Sequence, residues 1–157
     1  MPKQMVRISF ELDPNDWHGG GIETLWAESL SQSERQTFKI SNSPFCARGV
    51  SFGDIVSASP TKYKGIYEFK DVVQRGGHST FVLMMKPDDD RMSHYWQPME
   101  RIGCTYESGK ENWSDGIKTL YSVDVPPPTD LARVYEALER GLDDGVWLVQ
   151  EGHLYKA

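Results

Sequence analysis

Cys46 and His78 are the pair through which this chain could do covalent chemistry, as a thiol nucleophile and an imidazole base. Such a pair needs a third group to orient the imidazole, and the spacing supplies none. The competing expectation makes Gly77-His78-Ser79 a turn into a strand, with the imidazole hydrogen-bonded to backbone or to a carboxylate. Arg48, Ser51 and Asp54 crowd one stretch and, with His78, form a candidate site for a small anionic ligand. An internal salt bridge from Arg48 to Asp54 is the plainer expectation there. Asp90 and His94 stand at i, i+4, but two ligands fall short of the three or four a metal usually takes, so they read as an exposed helix pair. Glu100, Glu107 and Glu111 are the residue type for acid–base work, yet nothing gathers them, and they are expected in solvent. Gly19-Gly20-Gly21 lacks the helix start and the lysine of a phosphate loop. No complete catalytic or metal-binding constellation emerges, and no cofactor is implied.

Charge is the stronger signal. Residues 1 to 75 hold nine Lys/Arg against nine Asp/Glu, whereas residues 76 to 157 hold eight against fourteen, so the whole net charge of -6 is C-terminal. An acidic lobe repels nucleic acid and anionic lipid and steers a basic protein towards itself. The candidate anchors for such a partner are Asp130, Glu136, Glu139, Asp143 and Asp144, with Trp113 and Trp147 as aromatic hot spots where exposed. A solubilising surface is the competing explanation of the same charge.

These residues must be held by a folded chain. With 38% hydrophobic and 11% aromatic residues in 157, the composition suits one globular unit or two small lobes. The longest apolar run, Phe81 to Met85, is far too short for a membrane span, and the opening residues carry no apolar leader, so a cytoplasmic protein is expected. Cys46 and Cys104 form no CxxC, which fits reduced thiols; a disulfide between them stays open. Val6, Ile8, Phe10 and Leu12 alternate as one strand. Further strands are expected at Thr24 to Leu30, Phe38 to Ile40, Asp54 to Ala58 and Ile66 to Val73, giving a small β-barrel or curled sheet over residues 1–76.

Residues 77–157 switch to mixed elements. A central strand over Thr80 to Lys86 precedes a helix capped by Asp88-Asp89-Asp90, with Met92, Tyr95, Trp96 and Met99 on one face and Pro98 kinking or breaking it. A short strand from Cys104 to Glu107, a polar loop over 110–116 and a strand from Leu120 to Val125 follow. Thr129 is expected to cap a last helix carrying Leu131, Val134, Tyr135, Leu138 and Leu142, with Glu136 and Arg140 paired on its wet face, before a strand at Val146 to Gln150. The fold class is α+β, and the order β-α-β-β-α-β is the ferredoxin-like pattern. That sheet lacks paired aromatics on its central strands, which argues against RNA binding.

The stretch from Ser43 through Pro44-Phe45-Cys46-Ala47-Arg48-Gly49-Val50-Ser51-Phe52-Gly53 to Asp54, the later Gly76-Gly77-His78-Ser79-Thr80 and the segment Gly103-Cys104-Thr105-Tyr106 resemble the bacterial family called domain of unknown function 4265. Some members look like immunity proteins encoded with toxins. The resemblance therefore implies an immunity-type protein; joined with the acidic second half and the absence of an export signal, it gives the expectation of a non-enzymatic protein, a monomer or weak dimer, that occludes a basic cognate toxin acting in the cytoplasm, such as a nuclease. The alternative is a small-molecule-binding or enzymatic domain at Arg48, Ser51, Asp54 and His78.

Overall fold

Alternation in the first half builds a closed barrel of five strands: β1 (Met5–Glu11), β2 (Ile22–Ser29), β3 (Thr37–Ile40), β4 (Ile55–Pro60) and β5 (Ile66–Gln74). The computed structural model describes residues 3–30, 36–113 and 116–156. Neighbours in the barrel run antiparallel, and β1 closes it by pairing parallel with β5, Ile8 opposite Tyr67. Val6, Ile8, Phe10, Leu25, Ala27, Phe38, Ile40 and Val56 fill the interior, because a period of two sends every second side chain inwards.

The second half forms β6 (Ser79–Met85), α1 (Met92–Arg101), β7 (Thr105–Trp113), β8 (Gly116–Val125), α2 (Leu131–Asp143) and β9 (Leu148–His153). Its sheet runs β7-β8-β6-β9 with every pairing antiparallel. Phe81, Leu83 and Met85 of β6 join Trp96, Met99, Val134 and Leu138 of the helices in one core. Thr80, on the opposite face of β6, meets the barrel's β3–β4 connection through Ser51. Covered on both faces, β6 reads as an unbroken apolar run. Together the elements make an α+β protein, mostly β with two helices.

Several local expectations need correction. The 110–116 segment is mostly strand: β7 runs to Trp113 and β8 starts at Gly116, with residues 114 and 115 outside those described. Most of β7 is exposed on this edge hairpin, so no apolar alternation marked it. Pro98 does not divide α1, which continues from Met92 to Arg101, since burial of Trp96 and Met99 on either side outweighs the roughly 3 kcal/mol a helical proline costs. The aspartates before α1 do not cap it. Asp89 instead holds Arg91 in a two-pronged ion pair, which keeps its carboxyl below the usual range. Asp130, not Thr129, caps α2 by accepting from Ala132 N at 3.0 Å. No ion pair joins Glu136 to Arg140 among the described residues. Among the described residues, no helix is long and apolar enough to cross a membrane.

Candidate functional site

The connection between β3 and β4, residues 41–54, lies against the second sheet and joins the two halves of the molecule. Its first turn points three successive backbone N–H groups at one carboxylate: Phe45 N and Ala47 N donate to Glu23 at 2.9 Å each, and Cys46 N at 3.1 Å. Such a concave run of amides is an anion seat, and Glu23 fills it. Nothing in the motif itself announces Glu23. The available signal was parity, because Glu23 shares the inward face of β2 with Leu25 and Ala27.

From the other side, Glu107 of β7 accepts from Asn42 Nδ2 at 3.0 Å and from Ser43 N, so this carboxylate is a bridge between the halves and not the solvated group expected. Ser43 Oγ meets Ser122 Oγ at 2.6 Å, Ser51 Oγ meets Thr80 Oγ1 at 2.6 Å, and Gly49 N donates to Gly152 O at 3.0 Å. The Trp17 and Trp113 rings stack across the same joint, with centroids 6.0 Å apart.

The four residues expected around a small ligand sit in this joint, each with a partner. Arg48 does not pair with Asp54. Its guanidinium grips Asp16 through Nε at 2.6 Å and Nη2 at 2.8 Å, holding that carboxyl down at about 2. Asp54 is wholly buried and accepts from Ser51 N at 3.0 Å, Gly76 N at 2.9 Å and Arg75 Nη1 at 3.0 Å, so its partner was 21 residues further on. His78 Nδ1 lies 2.7 Å from Asp124 Oδ1, under the Phe52 ring, which is the satisfied-imidazole arrangement. Burial pushes the Asp124 carboxyl up although His78 pulls it down. Gly76 has no room for a side chain, because a Cβ there would stand 2.7 Å from Gly53 O.

Neither thiol is set up as a nucleophile. Burial, reinforced by Glu23, Glu111 and Asp16, pushes Cys46 up to about 12, and burial with Asp124 pushes Cys104 to about 11, the reverse of thiolate activation. Among the described residues, no three His, Cys, Asp or Glu side chains cluster as a metal site, Asp90 and His94 included.

The second candidate lies on the far face. Between α1 and α2 runs an open groove of about 680 Å³, lined by Glu136, Glu139, Asp143 and Asp144 together with Arg101, Arg133 and Arg140. Four of the five expected acidic anchors therefore come together; Asp130 caps the helix and stands outside the groove. Arg101 and Arg133 were not anticipated, and Arg140 was expected only as the partner of Glu136; the three reduce the acidic lining to an excess of one charge, four carboxylates against three guanidinium groups. Asp144 accepts from Tyr95 OH at 2.6 Å. Of the two expected aromatic hot spots, Trp147 fails the condition of exposure. Trp147 is 2% exposed and its Nε1 donates to Leu138 O at 3.0 Å, while Trp113 is half-buried against Trp17. Trp147 was absorbed by packing, as large aromatics are wherever a core can take them.

The family model described as Domain of unknown function (DUF4265) matches residues 23–149. A crystal structure titled as a hypothetical protein from Neisseria gonorrhoeae is similar in fold, with a TM-score of 0.66 at 15% identity, covering 100% of this chain and 99% of that one. No curated protein matches the chain.

Proposed function

The chain belongs to the DUF4265 family, and from that premise we propose that it is a non-catalytic binding protein of the immunity type, which neutralises a cytoplasm-acting toxin by docking the α1/α2 face onto it. The observation that carries this reading is the gathering of Glu136, Glu139, Asp143 and Asp144 along one groove. With Arg133 and Arg140 between them, the face calls for a toxin surface whose lysines and arginines meet the carboxylates and whose few acids meet the guanidinium groups. A nuclease is a fitting example, because its substrate site is basic.

The engaged state of the joint supports the same reading from the other side. Ser51, Asp54 and His78 are tied to Thr80, Arg75 and Asp124, and Arg48 to Asp16, so a small molecule there would have to displace internal bonds. The succession β6-α1-β7-β8-α2-β9 with strand order β7-β8-β6-β9 supports a ferredoxin-like reading of residues 77–157, with 1–76 as a barrel lobe. In such a molecule the barrel braces one face of the sheet and leaves the helices free to bind.

The test is purification of the tagged protein from its native host at low and at high salt, beside the double charge reversal Asp143→Lys/Asp144→Lys. The expected result is one basic protein retained by the unaltered chain at low salt and reduced at least tenfold on the reversed chain. Equal retention by both chains, or nothing retained by either, overturns the proposal.

A further inference from the structure

Strand β9 changes faces just before its end. Val149 and Glu151 pair with Leu83 and Phe81, on the helix side of the sheet, and unbroken alternation would send His153 there with them. A bulge prevents it: Phe81 pairs with Glu151 but Thr80 pairs with His153, so Gly152 is the extra residue. His153 is thereby turned to the face on which Thr80 meets Ser51 and the barrel. Gly152 suits the bulge on two counts. A Cβ there would stand 3.3 Å from Thr80 O, and its own carbonyl accepts the Gly49 N–H of the β3–β4 connection.

The ring that the bulge delivers is not tied down. His153 is half-buried, and its Nε2 is buried without a hydrogen-bond partner among the described residues, an arrangement that calls for a reason. The charged groups around it are Arg75 and Asp54 from the barrel half and Glu151 from its own strand. Ser79 and Thr80 of β6, alongside, bring no charge. Asp54 is already taken up by Ser51 N, Gly76 N and Arg75 Nη1. Arg75 Nη1 also donates to Gly49 O at 2.7 Å, so this one guanidinium clasps residues 49–54 at both ends.

We propose that His153 is an acid sensor in the joint, whose protonation loosens the barrel from the second sheet. A proton on the ring puts a second cation beside Arg75. The imidazolium repels the guanidinium or competes with it for Asp54, and in either case the clasp on residues 49–54 weakens. The Gly49–Gly152 and Ser51–Thr80 bonds that cross the joint start from those same residues and weaken with it. Burial first, and the Arg75 charge second, hold His153 below the usual imidazole range, against the pull of Asp54 and Glu151. The folded protein therefore binds this proton less well than the unfolded chain does. The joint is at full strength above the ordinary histidine value of about 6.5 and loses strength as the pH falls from there. The sensor goes beyond the toxin reading and does not depend on what binds the α1/α2 face.

NMR titration of the histidines and amide exchange of the purified chain test it. The expected result is a His153 ring that titrates below the value of a free histidine. Protection of the Gly49 amide, corrected for the intrinsic pH dependence of exchange, should fall about fivefold or more between about pH 7.5 and about pH 5. His153→Phe, which cannot take the proton, should abolish that fall while His18, His78 and His94 stay in place. His153→Gln repeats the test with a neutral polar side chain. A His153 that titrates at or above the free value overturns the proposal. So does Gly49 protection that is equal at both pH values, or that falls as far in the two variants as in the unaltered chain.

Discussion

Replacing Gly141 by alanine is expected to destabilise the protein by about 3 kcal/mol, against the usual rule that alanine improves a helix. Inside an exposed helix the exchange would gain about 1 kcal/mol. Here the added Cβ would lie 2.2 Å from Trp147 Cε2 and 2.5 Å from both Cζ2 and Nε1. The indole is 2% exposed, so it has no free space to retreat into. Moving it also breaks its bond to Leu138 O and uncovers the core that α2 shares with β6 and α1. Urea unfolding followed by tryptophan fluorescence measures the loss; a midpoint at or above that of the unaltered protein would show that the α2–Trp147 contact is looser than described.

Asp54→Ala should cost a comparable 3 to 5 kcal/mol, roughly the penalty for removing one partner of a buried charged network. The substitution leaves Ser51 N and Gly76 N without their acceptor and frees the Arg75 guanidinium, whose other partner is Gly49 O. All of these atoms belong to the joint between the halves. The loss should therefore appear as greater susceptibility of the 41–54 connection to proteolysis as well as a lower unfolding midpoint. Asp54→Asn, which keeps one acceptor oxygen, should fall between the two. A change below about 1 kcal/mol for Asp54→Ala would mean that water replaces the carboxylate and that the site is open enough to hold a ligand after all.

The strands of the barrel were legible because each buries one face, and a half-buried strand writes its geometry as alternation: Val6, Ile8 and Phe10 need no further context. Strand β7 was not, since an edge strand exposed on most of its length has no pattern to display. At the two candidate sites the limit was distance along the chain. Crowding in sequence suggested Arg48 with Asp54, but partners are chosen in space, and the guanidinium found Asp16 from the β1–β2 turn while the carboxylate found Arg75 at the end of β5. The gathering of acidic residues was recoverable because helical periodicity puts Glu136, Glu139 and Asp143 near one another without tertiary information. Arg101 could not be placed beside them from sequence, since it arrives on the other helix. Tryptophan exposure was beyond reach for the same reason: Trp147 packs under Gly141, a contact that depends on how α2 returns to the sheet.

The proposed function puts partner binding on the α1/α2 face and leaves the joint a structural role, and site-specific photocrosslinking in the native host separates these most directly. A photoreactive residue would replace exposed Glu139 on the groove in one chain and exposed Lys70 on the barrel's β5 in another. The account predicts crosslinks from position 139 to a protein other than a second copy of the chain, and few or none from position 70. Crosslinks from position 70 with none from position 139 would contradict it and move the binding surface to the barrel.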